Sequence, residues 1–583
     1  MTQTRNELPQ SRPLSPTARL LWLVLILSTL YLCYFHNLGA LGLVGPDEPR
    51  YAWIARDMQE TGDWVTPRLY GKPWFEKPPL YYWGAALGFK FFGVSETTAR
   101  LPSAISALLA TLALAWLALR LYGAQTARWL LLLLPTTVGM IGFSHAAATD
   151  MPFAAMLTIA TVFAAQLMNL VPSVAPQLQN YAASVSTTLR SLTSSTSSTT
   201  FTAFLFGFFL GFATLAKGPA AIVLSGGAVL LWAVFTKRWR DAFRCLHPVA
   251  IASFLLTALP WYILCAHRNP DFFRVFIIEH NFKRFLTPQF QHNQPIWYYV
   301  PIFILAVFPW IFFHALAKLQ FFTNWRQRLP ESHTRAFLLA SSGFTFLFFT
   351  LAKSKLPGYL MPAIPPMALL MANAAAANAG ASGRSPRWPV FGTGLAFLIF
   401  GIVLEHEAQK IPEALSVGLA YGVRTIWASA VFGGIVVGVL AAVRRLRIGQ
   451  FAVVLLTLLI VAEVERFLPD IDPSVSARST FRATRSAWPE FSVGDSAFWQ
   501  INRSFLYQLN YYAGKEIREW KPEDPRPGWL FVPKGKQQEA SKFGFSCMNS
   551  VVISAVVPCR DTESPGGLGR GNTGEGLGGR QPR

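Results

Sequence analysis

Long runs of apolar residues recur along this chain and leave few ways in which it can fold. A helix that crosses the hydrocarbon core of a bilayer needs roughly 17 to 25 mostly apolar residues, and its backbone polar groups must bond to one another. Thirteen runs are close to that length: 19–38, 101–119, 128–143, 151–170, 201–216, 219–236, 248–266, 295–317, 336–352, 358–376, 388–404, 418–442 and 449–467. The sequence therefore predicts an α-helical polytopic membrane protein with about 13 transmembrane helices.

The basic residues indicate how the chain is oriented in the membrane. A formal net charge of +21 would favour nucleic-acid binding in a soluble protein. If the N-terminus lies inside, however, the loops on that side carry sixteen Lys and Arg residues against two acids, Asp241 and Glu331. Positive residues in short loops mark the cytoplasmic side of a membrane. We therefore expect residues 1–18 to be cytoplasmic and the C-terminal region to be exported, and we expect no nucleic-acid partner.

Residues 19–467 are expected to form one transmembrane domain with two large exterior segments, 39–100 and 267–294. Within the first exterior segment, residues 51–58 and 79–92 combine helix-like apolar spacing with Trp and Tyr side chains. This pattern is typical of short amphipathic helices that lie in the plane of the membrane interface.

The region after the last apolar run has a soluble composition. Residues 468–563 include two apolar runs rich in β-formers, 529–533 and 551–557, and they are numerous enough for a small exported α/β domain. Cys547 and Cys559 belong to this region, where a disulfide is chemically permitted. Because spacing does not set geometry, the sequence leaves a bond and two free thiols equally open.

Two segments have low sequence complexity. Residues 171–200 are rich in Ser and Thr and are predicted to form a disordered cytoplasmic loop. Residues 564–583 are rich in Gly, lack apolar periodicity and are predicted to form a disordered tail.

An acidic pair stands where the first span emerges on the exterior side. Asp47 and Glu48 follow a Gly-Pro turn and precede another proline, so their backbone is stiff. A positioned carboxylate can act as a general base toward an attacking hydroxyl, but Asp is also a favoured helix cap, and position alone leaves both interpretations open. Asp150 opens the fourth predicted span, where a helix cap is the simpler explanation of that residue taken alone.

A Glu-Lys pair lies between two aromatic residues and two prolines in the first exterior segment. Lys77 could bind a phosphate and Glu76 a hydroxyl or a metal, and the alternative is a surface ion pair. His280, in the second exterior segment, follows Glu279 and could also bind a metal. Because the sequence has no close-spaced ligand set such as HExxH or paired CxxC, a divalent metal is only an option and no cofactor is required.

Several lysines lie at the exterior ends of spans, against the inside-positive trend. Lys217 follows the fifth span, and Lys353 and Lys355 follow the ninth. Their side chains could extend to lipid headgroups, or they could bind a phosphate or pyrophosphate carried on a long lipid. The inside loops contain no nucleotide-binding fingerprint, which disfavours a cytoplasmic nucleotide-sugar donor.

Several motifs together resemble a known family. They are PDEPRYAWIARDM and GDWVTPRLYGKPWFEKPP in the first exterior segment, TDMPF at the fourth span, LAKGP after the fifth, EHNFKRF and QHNQPIWYY in the second exterior segment, and KSKLPGYLMP before the tenth span. In these motifs the chain resembles the bacterial aminoarabinose transferases and related polyprenyl-phosphate-dependent C-type glycosyltransferases, and distantly the protein O-mannosyltransferases. The resemblance implies the C-type glycosyltransferase fold, with thirteen spans and an exported α/β domain.

The resemblance also implies roles for individual residues. Asp47 would be the principal catalytic carboxylate, supported by Glu48 and Arg50, and Asp150 would be a second acid facing the same cavity. Glu76 and His280 match a pair suggested to hold a divalent metal. Contacts to the donor phosphate would come from Lys77, Lys217, Arg284, Lys355 and Tyr359.

These inferences combine into one hypothesis. The chain would be an inverting glycosyltransferase that moves a sugar from undecaprenyl phosphate to lipid A, a glycan or a protein, among membrane lipids at the periplasmic face of a bacterial inner membrane. Asp47 would deprotonate an acceptor hydroxyl, or orient an acceptor phosphate that is already ionised, while cations hold the leaving phosphate. The alternatives are a protein O-mannosyltransferase and a polyprenyl-phosphate or lipid transporter without chemistry. A transporter predicts deep intramembrane charges and an internal repeat, neither of which the sequence displays.

Overall fold

The computed structural model describes residues 15–172, 195–283, 294–326, 331–380, 385–408, 417–548 and 555–563. The chain divides into two compact units. The first unit comprises Met1–Ala40 and Tyr51–Leu468, and the second comprises Leu41–Arg50 and Pro469–Arg583. Ten residues, Leu41–Arg50, are therefore grouped with the C-terminal part of the chain.

Helices account for most of the chain before residue 476. In chain order they are α1 (Pro16–Tyr34), α2 (Asp47–Thr61), α3 (Leu80–Phe92), α4 (Glu96–Tyr122), α5 (Ala124–Leu133), α6 (Val138–Ser144), α7 (Asp150–Leu167), α8 (Ser195–Lys217), α9 (Ala220–Thr236), α10 (Trp239–Phe243), α11 (Pro248–Arg268), α12 (Tyr299–Ala306), α13 (Ile311–Arg326), α14 (Glu331–Leu351), α15 (Ile364–Gly380), α16 (Trp388–Ala408), α17 (Val417–Ala442) and α18 (Leu446–Val475). A π-helical segment, Arg274–Lys283, follows α11, and a 3₁₀ segment, Pro357–Ala363, leads into α15.

Within the described ranges, nine helices are long and apolar enough to span a membrane: α1, α4, α7, α8, α11, α14, α15 with its 3₁₀ lead, α16 and α17. Two further pairs pass the same test only together, α5 with α6 and Ile296–Ala306 with Ile311–Gln320, and they bend by 61° and 104°. The chain is therefore a multi-pass membrane protein with nine to eleven candidate spans.

Each of the thirteen predicted runs falls on a helix or a bent pair, but the count of thirteen is not reached. The run 219–236 is α9, which has 17 residues and is shorter than the other candidates. The run 449–467 lies inside α18, whose C-terminal half contains charged residues such as Glu463 and Glu465. Neither α9 nor α18 is among the nine candidate spans of the described residues.

The helices of the first unit pack through small residues and aromatic rings. α8 packs along α7 and α11, and α16 packs along α17. A Cβ atom on Gly394 of α16 would lie 2.7 Å from the carbonyl oxygen of Gly434 on α17, so only glycine lets these backbones approach so closely. Large apolar side chains such as Leu256 and Phe432 are 75% and 72% exposed, which is typical of a surface that faces lipid.

Two helices and a hairpin lie within residues 39–100, the segment that the sequence predicts to be exterior. The helices predicted at 51–58 and 79–92 are confirmed as α2 and α3, while their position in the membrane interface remains a prediction. Strands β1 (Arg68–Leu69) and β2 (Lys72–Pro73) pair through a two-residue turn at Tyr70 and Gly71, whose φ angles are 53° and 77°. Positive φ at both turn positions matches the twist of a tight hairpin.

Only a small part of the two low-complexity segments, 171–200 and 564–583, lies within the described residues. Residues 173–194 and 564–583 lie outside the described residues. The prediction of disorder for 171–200 is wrong at its end, because residues 195–200 are the first turns of α8. An apolar helix already nucleated downstream can extend into a Ser/Thr segment at a small cost per residue.

The second unit contains a five-stranded mixed sheet. Its remaining elements are α19 (Ala477–Ala487), β3 (Ser496–Phe498), α20 (Arg503–Ala513), β4 (Arg518–Glu519), β5 (Trp529–Pro533), α21 (Gln537–Lys542), β6 (Phe545–Cys547) and β7 (Val556–Asp561). The strand order is β4-β3-β5-β7-β6, with β3 parallel to β4 and β5, and β7 antiparallel to β5 and β6. Leu530 and Val532 contribute to one apolar core and Phe531 to another, so β5 is buried on both faces.

The strand predicted at 529–533 is confirmed as β5. The run 551–557 overlaps β7 only from Val556, and residues 549–554 lie outside the described part of the chain. Cys547 on β6 is in register with Cys559 on β7, and the two form a disulfide. Of the two options that the sequence left open, a disulfide or two free thiols, the structure therefore has the disulfide.

Candidate active site

Asp150 and Lys217 form an ion pair in the first unit. The Lys217 Nζ atom lies 2.5 Å from Asp150 Oδ1, and the two side chains are 8% and 21% exposed. Asp150 is the first residue of α7 and Lys217 the last residue of α8. Each charge therefore occupies the helix end whose dipole stabilises it. Thr149, the N-cap residue, makes no side-chain capping bond, and Asp150 is turned toward Lys217.

The 3₁₀ segment Pro357–Ala363 lies against this ion pair. The Lys217 ammonium lies 4.5 Å from the centre of the Tyr359 ring and 5.5 Å from that of Phe153. A Cβ atom on Gly358 would lie only 2.4 Å from Asp150 Oδ1, so the backbone of the segment touches the carboxylate. Asp150, Lys217 and Tyr359, which were predicted separately from the sequence, are thus brought together.

Lys355 has a different environment. Its ammonium donates to the carbonyl oxygens of Ala352 at 2.7 Å and Gln294 at 3.2 Å, and the side chain is buried. Burial, and then the charge of Lys353, lower the pKa of Lys355. The ammonium therefore already donates to a carbonyl oxygen at the C-terminal end of α14. This makes Lys355 a weaker candidate for phosphate binding than Lys217.

The acidic pair Asp47 and Glu48, in the segment predicted to be exterior, lies in the second unit. Glu48 is buried, and its carboxylate accepts a hydrogen bond from the Val44 amide at 2.8 Å. The Asp47 side chain is 47% exposed and pairs with the Arg50 guanidinium. Gly45 has a φ of 65°, a left-handed conformation that glycine adopts without strain. Glu48 therefore closes the turn, and the Asp47 carboxylate is the one left accessible for chemistry.

Arg50 links the turn to the second unit. Its Nε donates to the Pro46 carbonyl oxygen at 2.8 Å, and its guanidinium lies 5.1 Å from the centre of the Tyr507 ring. The residue is only 4% exposed. The supporting role predicted for Arg50 is consistent with these contacts.

Glu76 and Lys77 lie on the loop after β2. The Lys77 ammonium is 3.7 Å from Glu76 Oε1, and the side chains are 13% and 9% exposed respectively. A surface ion pair is therefore a poor description, because both charges are largely buried. Glu76 and His280 line one cavity of about 500 Å³.

This cavity has a mixed polar and aromatic lining. Besides the two residues just named, its wall consists of Pro73, Trp74, Phe75, Arg268, Asn269, Pro270, Asp271, Arg274 and Val275. The arginines are paired with acids, Arg268 with Asp63 at 3.1 Å and Arg274 with Asp271 at 3.0 Å. Neutralised arginines beside an aromatic ring suit a polar group such as a sugar.

A metal ion does not fit these residues well. In the described part of the chain, no group of three His, Cys, Asp or Glu side chains is close enough to hold one. Glu76 is already paired with an ammonium that a cation would have to displace. The structure therefore gives no basis for a catalytic step that passes through a metal.

Arg284, the remaining predicted phosphate ligand, lies outside the described residues. The other candidates form three groups: Asp150 with Lys217 and Tyr359, Asp47 with Glu48 and Arg50, and Glu76 with Lys77 and His280. Only the second of these groups belongs to the second unit.

One ionisable cluster was missed from the sequence. The Glu465 carboxylate on α18 contacts His36 Nδ1, and its other oxygen lies 3.7 Å from His145 Nε2. Both His145 ring nitrogens also lie 3.0 Å from carbonyl oxygens, those of Ile141 and His36. The His145 Nδ1 atom also lies 3.1 Å from the Ser144 hydroxyl oxygen, so the ring is held by three polar partners besides Glu465. An acid within an apolar run was the feature that could have indicated it.

The fold and these sites can be compared with known proteins. A family model described as dolichyl-phosphate-mannose-protein mannosyltransferase matches residues 20–276. The crystal structure of ArnT from Cupriavidus metallidurans bound to undecaprenyl phosphate superposes with a TM-score of 0.73, covering 94% of this chain and 99% of that one at 22% identity. The apo form of that protein gives a TM-score of 0.69 at 21% identity. At such identities the likeness shows the fold, which is that of a C-type glycosyltransferase.

Two curated relatives carry the name undecaprenyl phosphate-alpha-4-amino-4-deoxy-L-arabinose arabinosyl transferase. The protein from Enterobacter sp. (strain 638) is 30% identical over 432 residues, which is 72% of each chain. The protein from Edwardsiella ictaluri (strain 93-146) is 32% identical over 343 residues, 59% of this chain and 57% of that protein. The present chain thus belongs to the family of undecaprenyl phosphate-aminoarabinose arabinosyl transferases, which confirms the resemblance seen in its motifs. The match to the Edwardsiella protein spans little more than half of that protein's length.

Proposed function

We propose that this protein is an inverting glycosyltransferase that moves 4-amino-4-deoxy-L-arabinose from undecaprenyl phosphate to lipid A. Membership of the family supports the reaction class, and the names of the relatives support the donor and the sugar. The acceptor is the least constrained element, since a glycan or a protein hydroxyl would suit the same chemistry. We place membrane lipids around the apolar spans, and no step of the proposal passes through a metal.

We place the reaction at the periplasmic face of a bacterial inner membrane, with residues 1–18 cytoplasmic. In this arrangement 19–467 is the transmembrane domain, and 39–100, 267–294 and 468–563 are periplasmic. The inside-positive distribution of Lys and Arg supports the orientation. The disulfide between Cys547 and Cys559 also supports it, because such bonds persist in the periplasm and not in the cytoplasm.

The donor phosphate is assigned to the Lys217 group. An ammonium beside the Tyr359 ring, held by Asp150 at two favourable helix ends, is a fixed cation for a phosphate carried on a lipid. Lys77 and the sequence-assigned Arg284 would add charge, while Lys355 is a secondary candidate. As the anomeric C–O bond breaks, its electron pair goes to the phosphate oxygen, whose growing charge these cations stabilise, so no general acid is required.

Asp47 is assigned to the acceptor. An acceptor oxygen attacks the anomeric carbon from the side opposite the departing phosphate, which inverts that centre. If the acceptor is a hydroxyl, Asp47 takes its proton. If the acceptor is an ionised phosphate of lipid A, Asp47 orients it or stabilises positive charge on the sugar. The cavity with Glu76 and His280 is proposed to hold the sugar.

The observation that carries the proposal is the Asp150–Lys217–Tyr359 cluster in a chain of this family. The test uses the full-length protein in nanodiscs, a radiolabelled undecaprenyl-phosphate-linked aminoarabinose and purified lipid A. We expect transfer to lipid A and a loss of about 100-fold or more in Asp47→Asn. Asp57→Asn, on the same helix, is the matched control and should transfer normally. Retained transfer in Asp47→Asn would remove Asp47 from the mechanism, and an inert wild-type protein would reject the reaction.

A further inference from the structure

The segment Leu41–Arg50 is bound to the second unit through its backbone. The Gly42 amide donates to Asp472 Oδ1 at 2.6 Å, and the Leu43 amide donates to the Tyr512 hydroxyl at 2.9 Å. Tyr512 lies on α20 and Asp472 near the end of α18. Two consecutive amides are therefore fixed by side chains more than 400 residues away in the sequence.

This contact leaves no space for a side chain at Gly42. A Cβ atom there would lie 1.9 Å from Ser476 Oγ and 2.7 Å from the Tyr512 hydroxyl. Asp472 is itself held by Arg478, whose Nε donates to Asp472 Oδ2 at 3.1 Å, and both residues are buried. The Asp472 carboxylate is thus held in place by a residue outside the segment.

At its other end the segment is fixed through Arg50. The guanidinium binds the Pro46 carbonyl oxygen and the Asp47 carboxylate, and it lies over the ring of Tyr507 on α20. Because Arg50 is buried, this cation–π contact is stronger than one at an exposed site. The direction of the Asp47 carboxylate therefore depends on Tyr507 through a single side chain.

We propose that the C-terminal unit is a positioning element for Asp47, and that Tyr507 and Tyr512 are its principal positioning residues. The inference rests on the proposed function, in which Asp47 acts on the acceptor. Neither tyrosine touches the reacting atoms in this account. They fix a carboxylate whose displacement by about 1 Å can cost up to 100-fold in rate.

The first test compares two substitutions of Tyr507 in the full-length protein. Tyr507→Leu removes the ring beneath Arg50, and we expect kcat to fall about tenfold or more while KM for the lipid-linked donor stays unchanged. Tyr507→Phe keeps the ring and should restore the wild-type kcat. Arg503→Met is the matched control, because Arg503 contacts the same ring, 5.4 Å from its centre, but not Asp47.

A merely structural role would give a different pattern. It predicts that Tyr507→Leu and Arg503→Met lower the melting temperature and activity together, and that donor KM changes with kcat. If Tyr507→Leu proves unstable, Tyr512→Phe provides the test instead. It removes only the hydroxyl that accepts a hydrogen bond from the Leu43 amide. We expect Tyr512→Phe to lower kcat several-fold at an unchanged melting temperature, and an unchanged kcat would overturn the inference.

A double-mutant cycle separates this inference from the proposed function. If Tyr507 acts through Asp47, adding Tyr507→Leu to Asp47→Asn should produce no further loss of transfer. Additive losses would show that Tyr507 acts elsewhere and would overturn the inference alone. Normal transfer by Asp47→Asn would overturn the role proposed for Asp47, whatever the tyrosine variants do, and an inert wild-type protein would overturn the proposed reaction.

Discussion

At the scale of single residues, Lys217 must serve two anions. Asp150 holds its ammonium in the structure, and the proposed donor brings a phosphate to the same cation. A lysine has three N–H donors, so one carboxylate contact leaves others for a phosphate oxygen. The carboxylate then acts as a positioning group, which explains why an acid stands beside a phosphate site.

Replacing Lys217 should weaken binding of the donor lipid. We expect Lys217→Met to lower the affinity for undecaprenyl phosphate at least tenfold, because a charge-assisted hydrogen bond is worth about 1.5 to 3 kcal/mol. Binding would be measured with a fluorescent undecaprenyl phosphate analogue in nanodiscs. Lys353→Met, which removes an exposed lysine near the same membrane face, is the control and should bind normally. Equal affinities in all three proteins would exclude Lys217 as a phosphate ligand.

Asp57 on α2 offers a test of pH dependence outside the proposed machinery. Burial is the main cause that raises the pKa of this carboxyl, Glu60 and Asp63 raise it further, and Arg68 opposes them. Its Oδ2 atom is buried without a hydrogen-bond partner among the described residues. A raised carboxyl pKa means that folding favours the protonated form, so stability falls as pH rises from the unfolded value, about 3.9, through the folded one.

Asp57→Asn should therefore raise the melting temperature at pH 7.5, and the gain should vanish near pH 4. Thermal unfolding of the detergent-solubilised protein at both pH values measures this difference. Glu539→Gln is the matched control, since that carboxylate forms an exposed pair with Lys536 at 2.5 Å, is not among the charges that shift the Asp57 pKa, and such pairs contribute little. If Asp57→Asn and the wild type had the same melting temperature at every pH, a raised pKa of Asp57 would be contradicted.

At the scale of elements, we expect the 3₁₀ segment Pro357–Ala363 to control the shape of the proposed phosphate site. Because Gly358 leaves no space for a Cβ atom beside Asp150, we expect Gly358→Ala to displace the carboxylate and reduce transfer about tenfold or more. Gly343→Ala on α14 is the control, since nothing lies within 4 Å of a Cβ atom there. Transfer assays on the two variants measure the effect, and equal rates would indicate that the segment yields without moving Asp150.

The elements predicted correctly from the sequence are those that depend on local sequence patterns. The apolar runs, α2, α3 and β5 follow from periodicity and composition, and the motifs identified Asp150, Lys217 and Tyr359 one at a time. The bends of 61° and 104° were not predicted, because a break within an apolar run depends on packing against other helices. The Glu465 cluster and the Gly42 contacts were missed for the same reason, since their partners are more than 300 residues apart in the sequence.

At the scale of the whole molecule, the division into two units assigns the proposed catalytic groups to separate parts of the chain. Asp47 belongs to the second unit, while Asp150 and Lys217 belong to the first. Each unit has its own apolar core, so we expect two transitions in thermal unfolding. Activity requires both units, and the less stable one should therefore set the temperature at which transfer is lost.

The disulfide provides a way to change the stability of the second unit alone. Cys547 and Cys559 are separated by 12 residues, and closing a loop of this length stabilises a folded unit by about 3 kcal/mol. A Cys547→Ser, Cys559→Ser double variant should lower one unfolding transition by several degrees and leave the other in place. The temperature at which transfer is lost should fall with that transition, while donor binding, assigned to the first unit, persists to higher temperature. Calorimetry paired with transfer and binding assays would measure all three.

The reducing agent dithiothreitol supplies the internal control for this experiment. It should shift the same transition in the wild-type protein and have no further effect on the double variant, because the three other cysteines are free. The contrary result is transfer that survives above the temperature of the lowered transition. Asp47 would then keep its position while the rest of the second unit is unfolded, contrary to the proposed role of Tyr507 and Tyr512. Loss of donor binding at the lowered transition would show that the phosphate site also depends on the second unit.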